Sequence, residues 1–508
     1  MGSRFFLNLS VVLASALLGT TFFLGCSEIK QGSLVGEGQR YLFLDDHWID
    51  QQSGVTRTFH AGVKDENNPV ITASECGKGV GPYVFHWGSK QSPYSAWYGT
   101  YEEDTGNYPT SFSSSADGFN WTDACRETNV ISIGEGNIQC AAHLLNGSSL
   151  YGDYPYLCAT GFRHAPDYDK FHWRFRRSRD GVSWEAFTDD VIWDGPSDVM
   201  QLQWDEQKQK FVAYYKVWRY KGVTLDGEPF VVYGNLDTKI EGNVFHIKGE
   251  TYLPKQMIDV KLQYGGDASN DGGGAPTDKK MQMHRVVAYA ESSDFLHWEN
   301  EQIILEPPSD APLGDQSYGM PVTYYGNMYI GMYYHFNSLT GLIQPMVAWS
   351  YDGIHFTVHD QQFFLQSGKP GEWDYGMIGP SEFMDAGDGQ LYLFYGSLAV
   401  DHLLGAGLTQ YHGAFGRAWI RRDGFASLKG GWLETVPIRV QSKQMSINMA
   451  GEVSVSLKSS SGKSIGKKVV LRGDHHSLIP DIDLSDWIGK DVIVHLDLSK
   501  GELFSITL

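Results

Sequence analysis

The sequence predicts an all-β protein, a five-bladed β-propeller followed by a small C-terminal β-sandwich. A short motif recurs five times along the chain, and four of its copies contain an Asp-Gly turn. Gly accounts for 58 of the 508 residues and aromatic side chains for 14%, a composition that favours a turn-rich β protein. No stretch after the N-terminal segment has the 3.6-residue period of an amphipathic helix.

Residues 1–25 have the pattern of a lipoprotein signal peptide. Arg4 precedes an almost wholly apolar run from Phe5 to Leu24, as in secretory signals. The ending Leu24-Gly25-Cys26 resembles a bacterial lipobox, in which the Cys is lipidated, although Phe23 departs from that pattern and leaves ordinary cleavage or an uncleaved anchor as alternatives. We expect a lipid on Cys26, a location in the bacterial cell envelope at the outer membrane, and membrane contact by this anchor only.

The recurring motif predicts the repeat unit. Gly supplies the positive φ of a tight turn, the Asp side chain can bind backbone amides across it, and the final aromatic residue covers the core of the next unit. An apolar hairpin precedes each copy, so that each unit has four antiparallel strands and five units form a propeller. The copies are Ser115–Trp121, Ser178–Trp184, Ser292–Trp298, Ser350–Phe356 and, in degenerate form, Arg421–Leu428.

The domain boundaries follow from where the motif begins and ends. We predict an N-terminal extension that packs on the propeller at 26–80, the propeller at 81–429 and the β-sandwich at 430–508. In the last segment Val453, Val455 and Leu457 alternate with Ser, a two-residue period that is typical of a half-buried strand.

These repeats, together with Asn68-Pro69-Val70-Ile71 and the C-terminal sandwich, resemble the five-bladed glycosidases of glycoside hydrolase families 32 and 43. The opening Leu42-Phe43-Leu44-Asp45-Asp46 is most similar to an uncharacterised group of secreted bacterial lipoproteins. The resemblance implies a propeller and a glycosidase activity. It does not supply the first catalytic carboxylate, because the Asp-Pro of family 43 and the Asn-Asp-Pro-Asn of family 32 have no counterpart in this chain.

Propeller topology predicts where functional groups lie. Residues just before first strands and just after second strands meet at one face, the mouth, whereas the Asp-Gly turns lie on the opposite face and are scaffold. We predict a catalytic pair of Asp198 and Asp374, with Asp315 or Glu382 as a third group that orients it or tunes its pKa. The predicted substrate-binding residues are Glu135, Arg163, Trp218, Arg219, His335 and His402. The alternative is that an Asp only caps a loop and that a His is buried and hydrogen-bonded.

One loop approximates a calcium-binding pattern. Asp267, Ser269, Asp271 and Asp278 stand at positions 1, 3, 5 and 12 of such a loop, within an insertion at 219–281 that should overhang the mouth. The alternative is an Asp-Gly-rich loop without metal. Calcium would be structural, and no cofactor is required for the chemistry.

Three functions remain open from the sequence. The first is an exported glycoside hydrolase that cleaves poly- or oligosaccharides through paired carboxylates; the others are a non-catalytic glycan-binding lipoprotein and a propeller polysaccharide lyase. Convergent carboxylates favour the first function, their absence the second, and a His cluster beside an Arg the third. The net charge of −20 argues against a nucleic-acid partner. The sugar, the linkage and the oligomeric state are not predicted.

The lipid anchor can be tested by Cys26→Ser. Because the lipobox Cys carries the lipid, this variant should appear as soluble or unprocessed protein when cells are fractionated. A variant that fractionates with membranes in the same processed form as the wild type would contradict the lipobox interpretation.

Overall fold

In the part of the chain that the computed structural model describes, almost all regular structure is β-strand, and a short 3-10 helix lies at Ser485–Trp487. It describes residues 38–508 except for 73–78, 81–93, 102–109, 128–138, 145–153, 163–171, 188–190, 195, 198, 224–227, 234–238, 242–243, 248–249, 253–256, 259–280, 309–310, 312–313, 386 and 403–412. Within these residues no helix is long and apolar enough to cross a membrane. The predicted all-β class is confirmed.

The N-terminal segment contributes five short strands to two different sheets. They are β1 (Arg40–Leu42), β2 (Ile49–Ser53), β3 (Thr56–Phe59), β4 (Val63–Lys64) and β5 (Ile71–Thr72). Between β1 and β2, the Asp45 carboxylate accepts hydrogen bonds of 2.7 Å from Trp349 Nε1 and from the Tyr351 hydroxyl. The Leu-Phe-Leu-Asp segment is therefore fastened to a distant repeat unit.

The first two repeat units are separate antiparallel sheets. The first contains β6 (Gly79–Val80), β7 (Tyr94–Tyr101), β8 (Thr110–Ser115) and β9 (Trp121–Glu127). The second contains β10 (Gln139–Leu144), β11 (Tyr156–Phe162), β12 (His172–Ser178) and β13 (Trp184–Ala186), and β14 (Ile192–Trp193) also pairs with β12.

The third unit carries the long insertion. Its sheet runs β15 (Met200–Asp205), β16 (Lys210–Val223), β22 (Met281–Ser292) and β23 (Glu299–Leu305). The insertion contains β17 (Pro229–Tyr233), β18 (Lys239–Glu241), β19 (Val244–Ile247), β20 (Glu250–Tyr252) and β21 (Met257–Ile258). Of these, β17 extends the edge of β16 and β18–β20 form a small sheet of their own.

The fourth and fifth units share one ten-stranded sheet. The fourth contains β24 (Asp315–Gly319), β25 (Val322–Tyr325), β26 (Met328–Asn337), β27 (Leu342–Ser350) and β28 (Thr357–Val358). The fifth contains β29 (Met377–Asp385), β30 (Gln390–Leu398) and β31 (Gly413–Arg421). The N-terminal strands β4 and β5 pair with β31, so the start of the described chain completes the last unit.

The C-terminal strands form a nine-stranded sheet around their own core. They are β32 (Ala426–Lys429), β33 (Trp432–Thr435), β34 (Ile438–Arg439), β35 (Ser446–Ser459), β36 (Ser464–Leu478) and β37 (Asp491–Thr507). Val453, Val455 and Leu457 are buried in that core, as their alternation predicted. The sheet also contains β1, β2 and β3, so this part of the protein is built from both ends of the chain.

The recurring motif forms the same turn in its first four copies, including the third, in which Phe295 takes the place of Gly and its positive φ. In the second copy, Asp180 Oδ1 accepts hydrogen bonds from the backbone amides of Val182 and Ser183 at 2.9 and 2.6 Å. Ser178 Oγ donates to the same carboxylate at 3.1 Å and accepts from the Gly181 amide at 2.9 Å. The carboxylate makes equivalent bonds at Asp117, Asp294 and Asp352. The predicted binding of backbone amides by the Asp side chain is confirmed in these four turns.

The fifth copy has a different role. Asp423 itself takes the positive φ of 61° and is only 2% exposed. Its carboxylate accepts hydrogen bonds from the Tyr325 and Ser505 hydroxyls and lies 3.3 Å from Arg40 Nη1. The degenerate copy therefore joins the fifth unit to the fourth unit and to the C-terminal sheet.

A side chain of each unit contacts the Asp turn of the next unit, and the last unit contacts the first. The hydrogen bonds and the one ring contact are Trp97 Nε1 to Gly181 O at 2.7 Å, Phe175 to Phe295 with centroids 5.2 Å apart, Tyr214 hydroxyl to Gly353 O at 3.1 Å, Tyr325 hydroxyl to Asp423, and Arg417 Nη1 to Asp117 O at 3.2 Å. The five contacts follow one another in a closed cycle.

We predict that Asp352→Ala lowers the free energy of unfolding by about 0.5–2 kcal/mol, the range for losing a capping side chain. Burial works against ionisation of Asp352, but hydrogen bonds from His355 and the backbone outweigh it and hold the pKa well below the ordinary 3.8. The difference in the free energy of unfolding between the wild type and the variant should therefore reach its full size above pH 4 and decrease as the pH falls.

Chemical denaturation at several pH values measures this difference. Asp360→Ala, at an exposed residue of the following loop, is the matched control and should be near neutral. A large loss of turnover in folded Asp352→Ala would show that this face is not scaffold.

Candidate functional site

Asp315 and His335 form a direct pair where β24 begins and β26 ends. His335 Nε2 lies 3.0 Å from Asp315 Oδ1, and both side chains are half-buried. Asn337, opposite Asp315 in the register, donates from Nδ2 to the same oxygen at 3.0 Å. The structure thus brings together one predicted residue from the start of a first strand and one from the end of a second strand.

Two β-bulges lie on the first strands of the fourth and fifth units. The pairing of β24 with β26 gains one extra residue at Tyr318, and the pairing of β29 with β30 gains one at Ser381 and Glu382. A bulge changes the direction of the side chains on its strand and is common beside active sites. Because of these bulges, the side chains of Tyr318 and Glu382 do not follow the directions that a regular two-residue alternation would predict.

Glu382 is a buried carboxyl that is hydrogen-bonded to a neutral side chain of the third unit. It is 7% exposed, and Gln201 Nε2 donates a hydrogen bond of 2.7 Å to its Oε1. Burial raises the pKa of Glu382 to about 7, against the opposing effect of the Gln201 hydrogen bond. At neutral pH the group is therefore divided between its acid and its carboxylate forms.

Asp374 is engaged by the N-terminal segment. It is 4% exposed, and Lys64 Nζ on β4 lies 2.5 Å from its Oδ2. The Tyr395 hydroxyl donates to the same oxygen at 3.4 Å. The negative charge of Asp374 is thus offset by a lysine 310 positions away, and no local sequence pattern links two residues so far apart.

A cluster of cations and aromatic rings lies beside the middle of β16. The Arg285 guanidinium is 4.5 Å from the Trp218 ring, 4.6 Å from Phe336 and 5.3 Å from Tyr318. Lys216 Nζ is 4.6 Å from the same Tyr318 ring. We define Lys216, Trp218, Arg285 and Tyr318 as the Arg285 cluster.

The predicted residue His402 lies against this cluster. Its Nε2 is 3.3 Å from the Tyr318 hydroxyl, and its ring meets the Tyr318 and Phe336 rings edge-on. Trp218 and His402 were predicted as binding residues, whereas Lys216 and Arg285 were missed. Lys216 could have been found, because residues two apart on a strand share a face and it precedes Trp218 by two.

Arg219 does not join the cluster. Adjacent residues on a strand point to opposite faces, and Arg219 follows Trp218 directly on β16. Its Nη1 binds Glu306 Oε2 at 2.8 Å, and its Nη2 lies 3.4 Å from His284 Nδ1. We therefore place Arg219 in a separate ion pair rather than with the other predicted binding residues.

Several predicted site residues lie outside the described part of the chain. They are Asp198, Glu135, Arg163, Cys26 and the calcium-loop residues Asp267, Ser269, Asp271 and Asp278. Their roles remain predictions. Among the residues that the structure does describe, no group of three or more His, Cys, Asp or Glu side chains is arranged to hold a metal ion.

No protein-family model matches the chain, and no curated protein matches it. Among similar solved structures, one titled "Glycoside hydrolase" shares 14% identity at a TM-score of 0.42, covering 72% of this chain and 92% of that one. A glycoside hydrolase family 43 arabinoxylan arabinofuranohydrolase from Bacillus subtilis shares 13% at a TM-score of 0.34, covering 87% and 98%. The RS223 β-xylosidase shares 13% at a TM-score of 0.41, covering 78% and 97%. Similarities this low carry no argument about activity.

We predict that Glu382→Gln changes how stability depends on pH. A carboxyl whose pKa is raised from 4.5 to about 7 by burial imposes no cost below pH 4.5. Between pH 4.5 and 7 it ionises in the unfolded chain but keeps its proton in the folded one, which favours unfolding. The wild type should lose stability relative to the variant as the pH rises from 4.5 through 7, by at most about 3 kcal/mol.

Denaturant unfolding of both proteins between pH 4 and 9 tests this. Glu206→Gln, at an exposed turn residue, is the control and should follow the wild-type curve. A difference between wild type and Glu382→Gln that does not vary with pH would contradict the assigned direction of the pKa.

Proposed function

We propose that the protein is an exported glycoside hydrolase that cleaves poly- or oligosaccharides at the mouth of a five-bladed propeller. The propeller is supported by the five sheet units and by the closed cycle of contacts between each unit and the next. The mouth is the face where β15, β24 and β29 begin. A secreted, lipid-anchored protein at the outer membrane remains part of the proposal, on the strength of the segment that ends at Cys26.

The observation that carries the proposal is Glu382. Glycoside hydrolysis needs one carboxylic acid that still holds its proton at the working pH and can donate it to the leaving oxygen. A pKa of about 7, raised by burial, gives Glu382 that proton in a substantial fraction of molecules at neutral pH. Its position on a bulged inner strand is suited to a reactive group.

Asp315 is the described carboxylate best suited to act as base or nucleophile. His335 and Asn337 bind one of its oxygens, Oδ1, which orients the group and leaves Oδ2 for a water or an anomeric carbon. Asp198 remains a candidate for the same role. Asp374, neutralised by Lys64 and bound by Tyr395, is better suited to holding the N-terminal segment than to the reactive pair first predicted.

The remaining groups of the mouth would bind the glycan. The Trp218 ring offers an apolar face on which a sugar can stack, and His402 with the Tyr318 hydroxyl offers polar contacts at its side. No cofactor enters this scheme. The loop from Asp267 to Asp278 is kept as a proposed structural calcium site that would shape access from the insertion.

A polysaccharide lyase is the second candidate, because one observation favours it. His402, the Tyr318 hydroxyl and the Arg285 guanidinium lie together in the described structure. A lyase would use such a His and Tyr as base and acid and such an Arg to neutralise a uronate. The glycan-binding lipoprotein would need the same aromatic and polar groups without the two carboxyls.

We predict that Glu382→Gln and Asp315→Asn each lower kcat by at least about 10², because each loses a group that acts in the transition state. Asp374→Asn should instead lower stability, with kcat of the folded protein little changed. In the wild type, kcat should fall as the pH rises through about 7, when Glu382 loses its proton.

Turnover of a panel of neutral and uronate-containing oligosaccharides measures these effects, with Glu206→Gln as the control. Near-wild-type kcat in both folded variants would overturn the assignment. Unsaturated products, detected by the ultraviolet absorbance of their new double bond, would establish the lyase instead. Binding without cleavage of any bond would establish the binding protein.

A further inference from the structure

Arg285 differs in its partners from three other arginines that are buried or half-buried. Arg219, Arg417 and Arg422 each have a carboxylate oxygen within 2.8–2.9 Å. Arg285 has no carboxylate within ion-pair distance among the described residues. Its Nη1 donates to Gln316 Oε1 at 2.8 Å, its Nε is buried without a hydrogen-bond partner, and its Nη2 donates to no described group.

The surroundings of Arg285 make this charge more costly to maintain. The guanidinium lies against the Trp218, Tyr318 and Phe336 rings, which exclude water from much of it. A second cation, Lys216, is 2% exposed and approaches the Tyr318 and Trp218 rings at 4.6 and 5.4 Å. Ring faces attract cations, but two like charges beside the same two rings also repel each other.

The carboxylate of Asp315, although close in sequence to the Gln316 that binds Arg285, is engaged by other residues. Asp315 directly precedes Gln316 on β24, yet its Oδ1 is engaged by His335 and Asn337. Gln316 itself is neutral and contributes only its amide oxygen to Arg285. In a chain of net charge −20, the Arg285 guanidinium is thus a positive charge that no carboxylate of the described residues balances.

We infer that the Arg285 cluster is a subsite for an anionic substituent of the glycan, either a carboxylate or a sulfate. The guanidinium fork matches the paired oxygens of both groups, and Gln316 fixes its orientation while Nη2 remains to donate. Trp218 lies beside the guanidinium, so a sugar ring stacked on the indole would carry its substituent to Arg285. The inference rests on the proposed glycan substrate and narrows it to acidic glycans.

Isothermal titration calorimetry on the full mature chain tests this with matched probes. Methyl β-D-glucuronide, methyl β-D-galacturonide and methyl β-D-glucoside 6-sulfate are each compared with the neutral glycoside of the same ring, and inorganic sulfate is titrated alone. We expect an anionic glycoside to bind at least about tenfold more tightly than its neutral counterpart, as for a charge-assisted hydrogen bond. The carboxylate and sulfate arms distinguish the two substituents.

Arg285→Gln should abolish this preference, and Arg285→Lys should retain only part of it because the fork is lost. Arg472→Gln, at an exposed arginine paired with Glu452 in the C-terminal sheet, should leave it unchanged. A measurement on the wild type alone, the affinity for the anionic glycoside at rising NaCl, should weaken with salt while the affinity for the neutral glycoside does not.

The outcomes separate this inference from the proposed hydrolase. Equal affinity for charged and neutral probes, or a preference that survives in folded Arg285→Gln, overturns the subsite. Selective binding of acidic glycans without hydrolysis supports the subsite and overturns the hydrolase. Hydrolysis of acidic and neutral glycans at equal rates, in the wild type as in Arg285→Gln, overturns the subsite and leaves the hydrolase standing.

Discussion

Arg417 joins three parts of the chain, and the arrangement of the units depends on the contacts that it makes. Its guanidinium binds Asp65 at 2.8 Å, donates to the Asp117 carbonyl at 3.2 Å and stacks on Phe119 at 3.4 Å. Its backbone exchanges two hydrogen bonds with the Asn68 side chain. One residue of the fifth unit therefore contacts both the N-terminal segment and the turn of the first unit. Because a sheet unit buries its faces only against neighbours, this contact completes the cycle.

The N-terminal segment has a structural and an electrostatic consequence for the site. Strands β4 and β5 add to the open edge of β31, which protects an edge that could otherwise pair with another chain. The same segment brings Lys64 to Asp374 and so removes that negative charge from the mouth. Which of the mouth carboxylates is suited to act on a substrate therefore depends on how β4 and β5 pair with β31.

The proposed mouth contains an acidic and a basic side chain whose surroundings are both unusual for a charged group. Glu382 is a carboxyl whose burial favours the neutral form, whereas Arg285 is a cation whose described partners are rings and one amide. The negative charge that the chain carries overall is therefore reduced at the place where a ligand would bind. A site of this kind suits a substrate that supplies the missing negative charge itself.

The sequence by itself determined the turns and the strand alternation, whereas the tertiary structure decided the partners of the charged groups. The hydrogen bonds of Asp180 reach only to residues two or three positions away, so a local motif contains everything that the turn needs. Lys64 and Asp374 are 310 positions apart, and Glu382 depends on Gln201 from another sheet and on burial. Burial and ion pairing sum over every element that packs around a group, and no local pattern encodes that sum.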